Sequence, residues 1–205
     1  MLELDHVLCF VEPGGDWADR LERAGWSLDT GTTHPGQGSR NRRCPWGSGY
    51  LELIWIHDLV EAAAHPLRLD RRARWEQTRA SPFGFGFRGH FPPALAAHCW
   101  THAPDPAFRL SIHRDNDERP ELPLLFCIDL DDGACLERRE TVTRHAGAVR
   151  ALTHIDHAAP VAVPQGWTEL PLPVSSVVGS APRLTVRFGG GASALEVTPE
   201  LRIES

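Results

Sequence analysis

Two ionisable side chains sit where strands are expected to be apolar. Glu52 lies inside Tyr50-Leu51-Glu52-Leu53-Ile54-Trp55-Ile56. A buried carboxylate without a partner costs several kcal/mol, so Glu52 needs a cation, a proton or several hydrogen-bond donors. His6 lies in Leu4-Asp5-His6-Val7-Leu8-Cys9-Phe10. Alternation along that strand puts His6 on one face with Leu4, Leu8 and Phe10, the inward face. A His and a Glu on two inward-facing strands supply half of a metal site. The plainer alternative is an Arg such as Arg42 holding Glu52, with His6 a hydrogen-bonded core residue.

The elements that must carry these residues follow from pattern and punctuation. Residues 3–11 read as a strand that ends at Pro13-Gly14-Gly15. Asp16 is placed to cap a helix over 17–25, with Trp17, Leu21 and Ala24 on one side and Gly25 as its stop. A short strand is expected over 26–30, then a glycine-rich loop, then a hairpin of 40–46 and 49–56 about Gly47-Ser48. The order over the first 57 residues is therefore β-α-β-β-β. A linking helix is expected over 68–79. A second unit then starts at Phe83, Phe85 and Phe87, with a short helix near 93–100 and strands near 107–113 and 122–129. Asp115 to Pro120 reads as a loop. A strand over 148–155 opens a third unit. The prolines of 158–182 argue against an ordinary helix there, and strands near 183–188 and 193–198 close the chain about Gly189-Gly190-Gly191.

The third unit echoes the first. Leu4-Asp5-His6-Val7 matches Leu152-Thr153-His154-Ile155, and Tyr50-Leu51-Glu52-Leu53 matches Ala194-Leu195-Glu196-Val197. If such units pair about a pseudo-two-fold axis, His6, Glu52, His154 and Glu196 converge on one centre. That nitrogen and oxygen set suits Fe, Mn, Ni, Co or Zn. His157 is an alternative to His154, and Glu196 could equally be a solvent-facing strand residue. The loop over 31–43 adds His34, Gln37, Ser39, Asn41 and Arg42 between glycines that let a backbone approach a ligand. Asn41 and Arg43 share one strand face, and Arg40 and Arg42 the other. One of these arginines is a candidate for a substrate carboxylate or phosphate; a solvated connector is the other reading. Trp46 and Trp55 flank the proposed site.

Other patterns carry less. The loop lacks the G-K-[ST] ending of a P-loop, and Ser39 has no G-x-S-x-G context. His98, Cys99 and His102 lack a second pair of zinc-like spacing. Cys127 between Phe126 and Ile128 reads as a packed core thiol. Five cysteines with no C-x-x-C pair fit a reduced, cytoplasmic protein. With 205 residues, 41% hydrophobic and 23% charged, the chain can bury one substantial core. A formal net charge of -6 with arginines only in short pairs argues against a nucleic-acid backbone as partner. No leader-like segment and no run near the ~20 apolar residues of a membrane span is expected. Richness in Ala, Arg, Pro and Gly hints at a bacterial genome.

These residues resemble a known family. Leu4-Asp5-His6-Val7, the loop His34-Pro35-Gly36-Gln37-Gly38-Ser39-Arg40-Asn41-Arg42, and Tyr50-Leu51-Glu52-Leu53 followed by Trp55 are similar to the glyoxalase-like branch of the vicinal oxygen chelate superfamily. The resemblance is good over residues 2–58 and weaker at Pro82-Phe83-Gly84, Leu122 to Phe126 and His145 to Ala148. It implies an α+β fold in which paired βαβββ modules form a cup-shaped mixed sheet around a divalent metal, with a degenerate C-terminal half-module. Residues 1–205 would form one domain: a first module over 1–58, a divergent second over 82–130 and a helix-poor strand unit over 148–199. His6 and Glu52 occupy the first-module ligand positions. In the second module the matching positions fall near Phe85 and Cys127, so the remaining ligands would come from His154 and Glu196.

The function this implies is a metal-dependent lyase or isomerase acting on a small oxygenated molecule. The metal would hold two adjacent oxygens and stabilise enolate-like charge. Glu52 or Glu196 could instead serve as general base, and His34, Gln37, Asn41, Arg42, Trp46 and Trp55 would contact substrate. The alternatives are a metal-free small-molecule binding or resistance protein of the same fold, an Fe(II)-dependent oxygenase, or an interaction platform. The implied partners are a small molecule and a second copy in a homodimer, with no nucleic acid and no membrane.

Overall fold

Strand β1 (Glu3–Phe10) decides the architecture, because both of its faces are buried. Val7 and Cys9 point to one hydrophobic cluster, and Leu8 and Phe10 point to another. β1 therefore sits in the middle of a sheet covered on both sides. A computed structural model of the chain describes residues 2–105, 108–129, 151–190 and 193–205. The expected features at Cys135, at His145 to Ala148 and over 148–150 lie outside these residues.

The first module is β1, α1 (Trp17–Arg23), β2 (Thr32–His34), β3 (Ser39–Trp46) and β4 (Gly49–Ile56). The hairpin falls where Gly47-Ser48 places it. The strand expected over 26–30 does not form. Asp29 instead accepts from the backbone N–H of Gly31 at 3.0 Å and of Arg43 at 2.7 Å, which turns the chain. Gly31 then runs at φ +78° against the carbonyl of Asn41, where a side chain has no room, and the ladder begins at Thr32. The second module is β5 (Phe83–Arg88), β6 (Cys99–Asp105), β7 (Phe108–His113) and β8 (Leu124–Asp129), with α5 (Pro93–Ala96) after β5 and a single helical turn, α6 (Asp115–Glu118), in place of the expected loop. The helix expected near 93–100 is cut to the single turn of α5, and β6, which was not expected, takes over from Cys99.

β1 pairs with β4 in parallel and with β5 antiparallel, and β5 pairs with β8 in parallel. The modules thereby fuse into one eight-stranded sheet of order β2-β3-β4-β1-β5-β8-β7-β6. The linker forms three short helices rather than one: α2 (Leu59–Ala64), α3 (Leu69–Ala73) and α4 (Trp75–Thr78). They pack Ala62, Leu67 and Leu69 into the concave side of the sheet. Arg72 pins them there: its buried guanidinium donates to the carbonyls of Ser81 at 2.8 Å and Leu122 at 3.0 Å and to Asn116 Oδ1 at 3.0 Å.

The third unit is a separate five-stranded sheet, β10-β9-β11-β13-β12. It consists of β9 (Leu152–Ala159), β10 (Val174–Val178), β11 (Arg183–Phe188), β12 (Ala194–Glu196) and β13 (Leu201–Glu204). A 3-10 turn over Gln165–Glu169 is its only helical piece among the described residues, as the prolines require. Ile155, Leu184, Val186, Leu201 and Ile203 pack with Val7, Cys9, Leu51 and Leu53 on the convex side of the large sheet. The cup is thus formed by modules one and two, and the third unit backs it. Among the described residues no helix is long and apolar enough to cross a membrane.

Candidate functional site

His6 and Glu52 do share the concave face, and a bulge puts them in register. Pairing of β1 with β5 slips between Leu4 and His6. The extra residue turns Leu4 to the convex cluster, contrary to simple alternation, while His6 joins Leu8 and Phe10 inside the cup. The same slip brings Asp5 alongside His6. His6 pairs with Gly86 on β5, and a Cβ there would stand 2.7 Å from His6 Nε2. Only a glycine leaves space for the imidazole, which stacks on Tyr50 with ring centres 4.7 Å apart.

The result is a buried chain of charges. Arg88 Nη1 donates to Asp5 Oδ1 at 2.9 Å, and Asp5 Oδ2 lies 2.7 Å from His6 Nδ1. His6 Nε2 lies 3.2 Å from Glu52 Oε2, and Asn41 Nδ2 donates to Glu52 Oε1. Asn41 is itself held, because its Oδ1 accepts the N–H of Thr32 at 2.8 Å. Burial works against charge on both His6 and Glu52. Hydrogen bonds to Asp5 and Glu52 outweigh it for His6, whose proton affinity is raised. For Glu52 the same contact with His6, together with Asn41, holds the carboxyl well below its usual range. The pair is therefore an imidazolium between two carboxylates. The partner of Glu52 is a histidine and an amide rather than an arginine.

This chain forms part of the wall of a cavity of about 290 Å³. Thr32, His34, Gln37, Asn41 and Arg43 from β2, its following loop and β3 add to the polar side, and Leu67, Leu69, Leu110, Ile112, Leu124, Phe126 and Ile128 make the other side apolar. Ser39 donates to Gln37 Oε1 at 2.7 Å and lies 2.9 Å from His34 Nδ1. Having spent its proton on Gln37, the hydroxyl accepts from Nδ1–H, which fixes the tautomer and leaves Nε2 of His34 with its lone pair. Burial, with smaller effects of Arg43 and His57 against Glu52, lowers the proton affinity of His34. His34 is thus a neutral imidazole with one open nitrogen.

Several expected site residues lie elsewhere. Arg42 faces the convex side, where Nε donates to the Asp29 carbonyl at 2.8 Å and Nη2 meets Glu22 at 2.9 Å. Its neighbour Arg43 takes the cavity position, as the strand alternation with Asn41 allows. Trp46 and Trp55 also point to the convex side: Trp46 packs on Phe188, and Trp55 on Trp17 and Arg40. His154 and Glu196 belong to the second sheet, behind the cup. His154 contacts Ser175 Oγ at 2.9 Å, and Glu196 is exposed on β12 with its carbonyl accepting from Arg20. Convergence of two His and two Glu therefore does not occur. Phe85 and Cys127 also face away from the cup; the second-module positions that face it are Gly84, Gly86, Leu124, Phe126 and Ile128. Asp5, Tyr50 and the apolar wall were not singled out in the sequence. An acid at the bulge leaves no mark in strand periodicity, and the wall residues look like ordinary core.

Residues 4–170 match the family model of a glyoxalase-like domain. The chain belongs to the glyoxalase-like domain family. A hypothetical protein from Staphylococcus aureus has the same fold at 12% identity, covering 100% of this chain and 99% of that one with a TM-score of 0.63. A weaker likeness, with a TM-score of 0.41 and 14% identity, relates 63% of the chain to 89% of methylmalonyl-CoA epimerase from Mycobacterium tuberculosis. Among curated proteins none matches the chain at a significant level.

A divalent metal in this glyoxalase-like cup needs a donor set, and the side chains present do not form one. Both nitrogens of His6 and both oxygens of Glu52 are already engaged. The facing half of the cup offers glycine and hydrocarbon where the remaining ligands would stand. Among the described residues no three His, Cys, Asp or Glu side chains are placed to hold a metal ion together. The polar wall is instead a closed hydrogen-bonded system with His34 and Arg43 at its margin.

Proposed function

We propose that this glyoxalase-like protein is an isomerase or lyase that moves a proton on a small oxygenated molecule, with His34 as the base. The observation that supports this is the open Nε2 of a neutral, Ser39-oriented imidazole in a cavity walled by hydrocarbon on its far side. Glu52 is a poor base, because its oxygens are engaged and its carboxyl is stabilised in the ionised form. Its part is to hold Asn41 and His6 in place and to keep a fixed negative charge near His34 that steadies the imidazolium formed on proton transfer. Gln37, whose carbonyl is held by Ser39, directs its amide N–H groups to the oxygen on which negative charge develops. Asn41 shapes the cavity floor next to it.

The proton leaves a carbon beside the substrate carbonyl and rests on Nε2. In an isomerase it returns to the same or an adjacent atom; in a lyase it follows the leaving group. No step runs through a metal. The test is to incubate the protein in D2O with a panel of 2-oxo and vicinal-oxygen compounds and follow deuterium entry by NMR. Exchange that falls at least about 100-fold in His34→Gln, and that rises with pH through a value below 6.5 in the wild type, is expected. A panel member that binds without exchange would replace this reading with that of a small-molecule binding protein, which the self-satisfied His6–Glu52 wall also favours.

A further inference from the structure

We infer that the molecule bound in this cavity is a monocarboxylate with an apolar body, and that Arg43 reads its carboxylate end-on. The inference rests on the cavity being the functional site, as in the reading above, but not on proton transfer occurring there. It follows from an inventory of hydrogen-bonding capacity on the polar wall. The acceptors there are spent: Glu52 on His6 and Asn41, Asn41 on the Thr32 amide, and Gln37 on Ser39. What remains uncommitted is His34 Nε2 as an acceptor, the Thr32 hydroxyl, which can donate or accept, and a set of donors led by the two terminal nitrogens of Arg43. A wall rich in open donors calls for a ligand rich in acceptors.

Arg43 is built for that role. Its backbone N–H and its Nε both donate to the Asp29 carboxylate, at 2.7 and 2.5 Å. Its guanidinium also lies over the Tyr50 ring, 5.7 Å from the centroid. The side chain is thus held at its inner edge, and its planar Nη1/Nη2 edge is left to meet two oxygens at once, the geometry of a bidentate carboxylate. Across the sheet Arg43 pairs with Glu52, so a bound carboxylate would stand near a fixed negative charge. The imidazolium of His6 offsets that charge, which keeps the wall tolerant of one anion and hostile to two. Opposite, the cavity is closed by side chains such as Leu110, Ile112 and Phe126, which offer no polar group to a second charged end. At about 290 Å³ the space sits at the lower end for small-molecule sites.

The experiment is calorimetric titration of the full chain with straight-chain, branched and aryl monocarboxylates, each beside its own primary amide. At least one acid is expected to bind about tenfold or more tightly than its amide, the range of a charge-assisted hydrogen-bond pair. Arg43→Gln should erase that preference, and Arg43→Lys, which keeps the cation but not the fork, should retain only part of it. Should Arg43→Gln fail to fold, the partial loss in Arg43→Lys decides. Amides that bind as well as acids, a preference that survives Arg43→Gln, a full preference in Arg43→Lys, or no acid binding at all would each overturn the inference. Deuterium exchange in the wild-type protein, followed on the acids that bind, separates the two proposals. An acid that binds through Arg43 but never exchanges sinks proton transfer and leaves the carboxylate assignment standing.

Discussion

The two halves of the large sheet have one topology and opposite chemistry. In each, a first strand pairs in parallel with the last strand of its own module, and β1 and β5 meet antiparallel at the seam. Facing the cup, the first half presents His6, Glu52, Asn41, His34 and Arg43; the second presents glycine, leucine, isoleucine and phenylalanine. Duplicated architecture here does not mean duplicated function. The second half has become a hydrocarbon wall, and the glycines of β5 make room for side chains that the first half supplies. A site assembled this way can be polar enough to orient a ligand and dry enough to strengthen each charge interaction.

The comparison can be broken most strongly at His6. His6→Ala leaves Asp5 and Glu52 as buried carboxylates without their shared cation. A loss of about 3–5 kcal/mol in urea unfolding is expected, the usual cost of removing one partner from a buried ion pair. The matching cut in the other half, Ile112→Val, removes one methyl from a residue 1% exposed and should cost about 0.5–1.5 kcal/mol. Equal losses at the two positions would mean that the polar chain carries no special electrostatic weight.

The seam sharpens the contrast. Gly86 and Gly84 both face the cup from β5, yet a Cβ at Gly86 would stand 2.7 and 2.8 Å from the two nitrogens of His6. At Gly84 the nearest atoms are Leu124 Cβ and O at 3.1 Å. Gly86→Ala should therefore fall near the upper end of overpacking costs, about 3 kcal/mol, and Gly84→Ala near the lower end, about 1 kcal/mol. Because the first displaces an imidazole and the second an aliphatic chain, only Gly86→Ala should also move the His6 proton resonance on NMR titration. A shift of the same size in Gly84→Ala would show that the seam is not asymmetric.

Much of this was legible in the sequence, and the rest was hidden for identifiable reasons. Glu52 in an apolar strand announced a satisfied buried charge, and two-residue alternation put His6 on the inward face and paired Asn41 with Arg43. The same rule misplaced Leu4, because a bulge at Asp5 inserts a residue that periodicity cannot show. Arg42 was the expected substrate contact, but it lies on the opposite strand face from Asn41, and Arg43, held by Asp29, lines the cavity instead. Trp46 and Trp55 were misread because both faces of β3 and β4 are covered, so an aromatic side chain says nothing about which side it takes. The echo of His154 and Glu196 was real as a pattern and empty as a site. It lies on a sheet that packs behind the cup, and which modules pair is set by the β1·β5 register rather than by any local motif.

A last contrast concerns two buried histidines with opposite surroundings. His6 is gripped by two carboxylates. His157, 1% exposed on β9, packs edge-on against Phe83 and Phe85 behind the apolar half, with Nδ1 near Ser176 and no partner for Nε2 among the described residues. Burial lowers its proton affinity, from 6.5 to about 4. As pH falls below 6.5 the unfolded chain takes up this proton before the folded one does, so His157 withdraws stability progressively down to pH 4. The effect is roughly 2–3 kcal/mol at pH 4 and vanishes by about pH 7. His6 has the other sign: its raised proton affinity adds stability below 6.5 that is lost as pH rises through the folded value. Glu52 adds stability above 4.5 that is lost as pH falls through about 2. Urea midpoints measured across this range should therefore climb from pH 4 to 6.5 and decline above it. His157→Leu should make the acid limb shallower and leave the alkaline decline; the slope that stays belongs to the other histidines whose proton affinity burial lowers, such as His34 and His113. An unchanged acid limb in that variant would mean that water reaches Nε2, and that the packing behind the apolar half is looser than that behind the polar one.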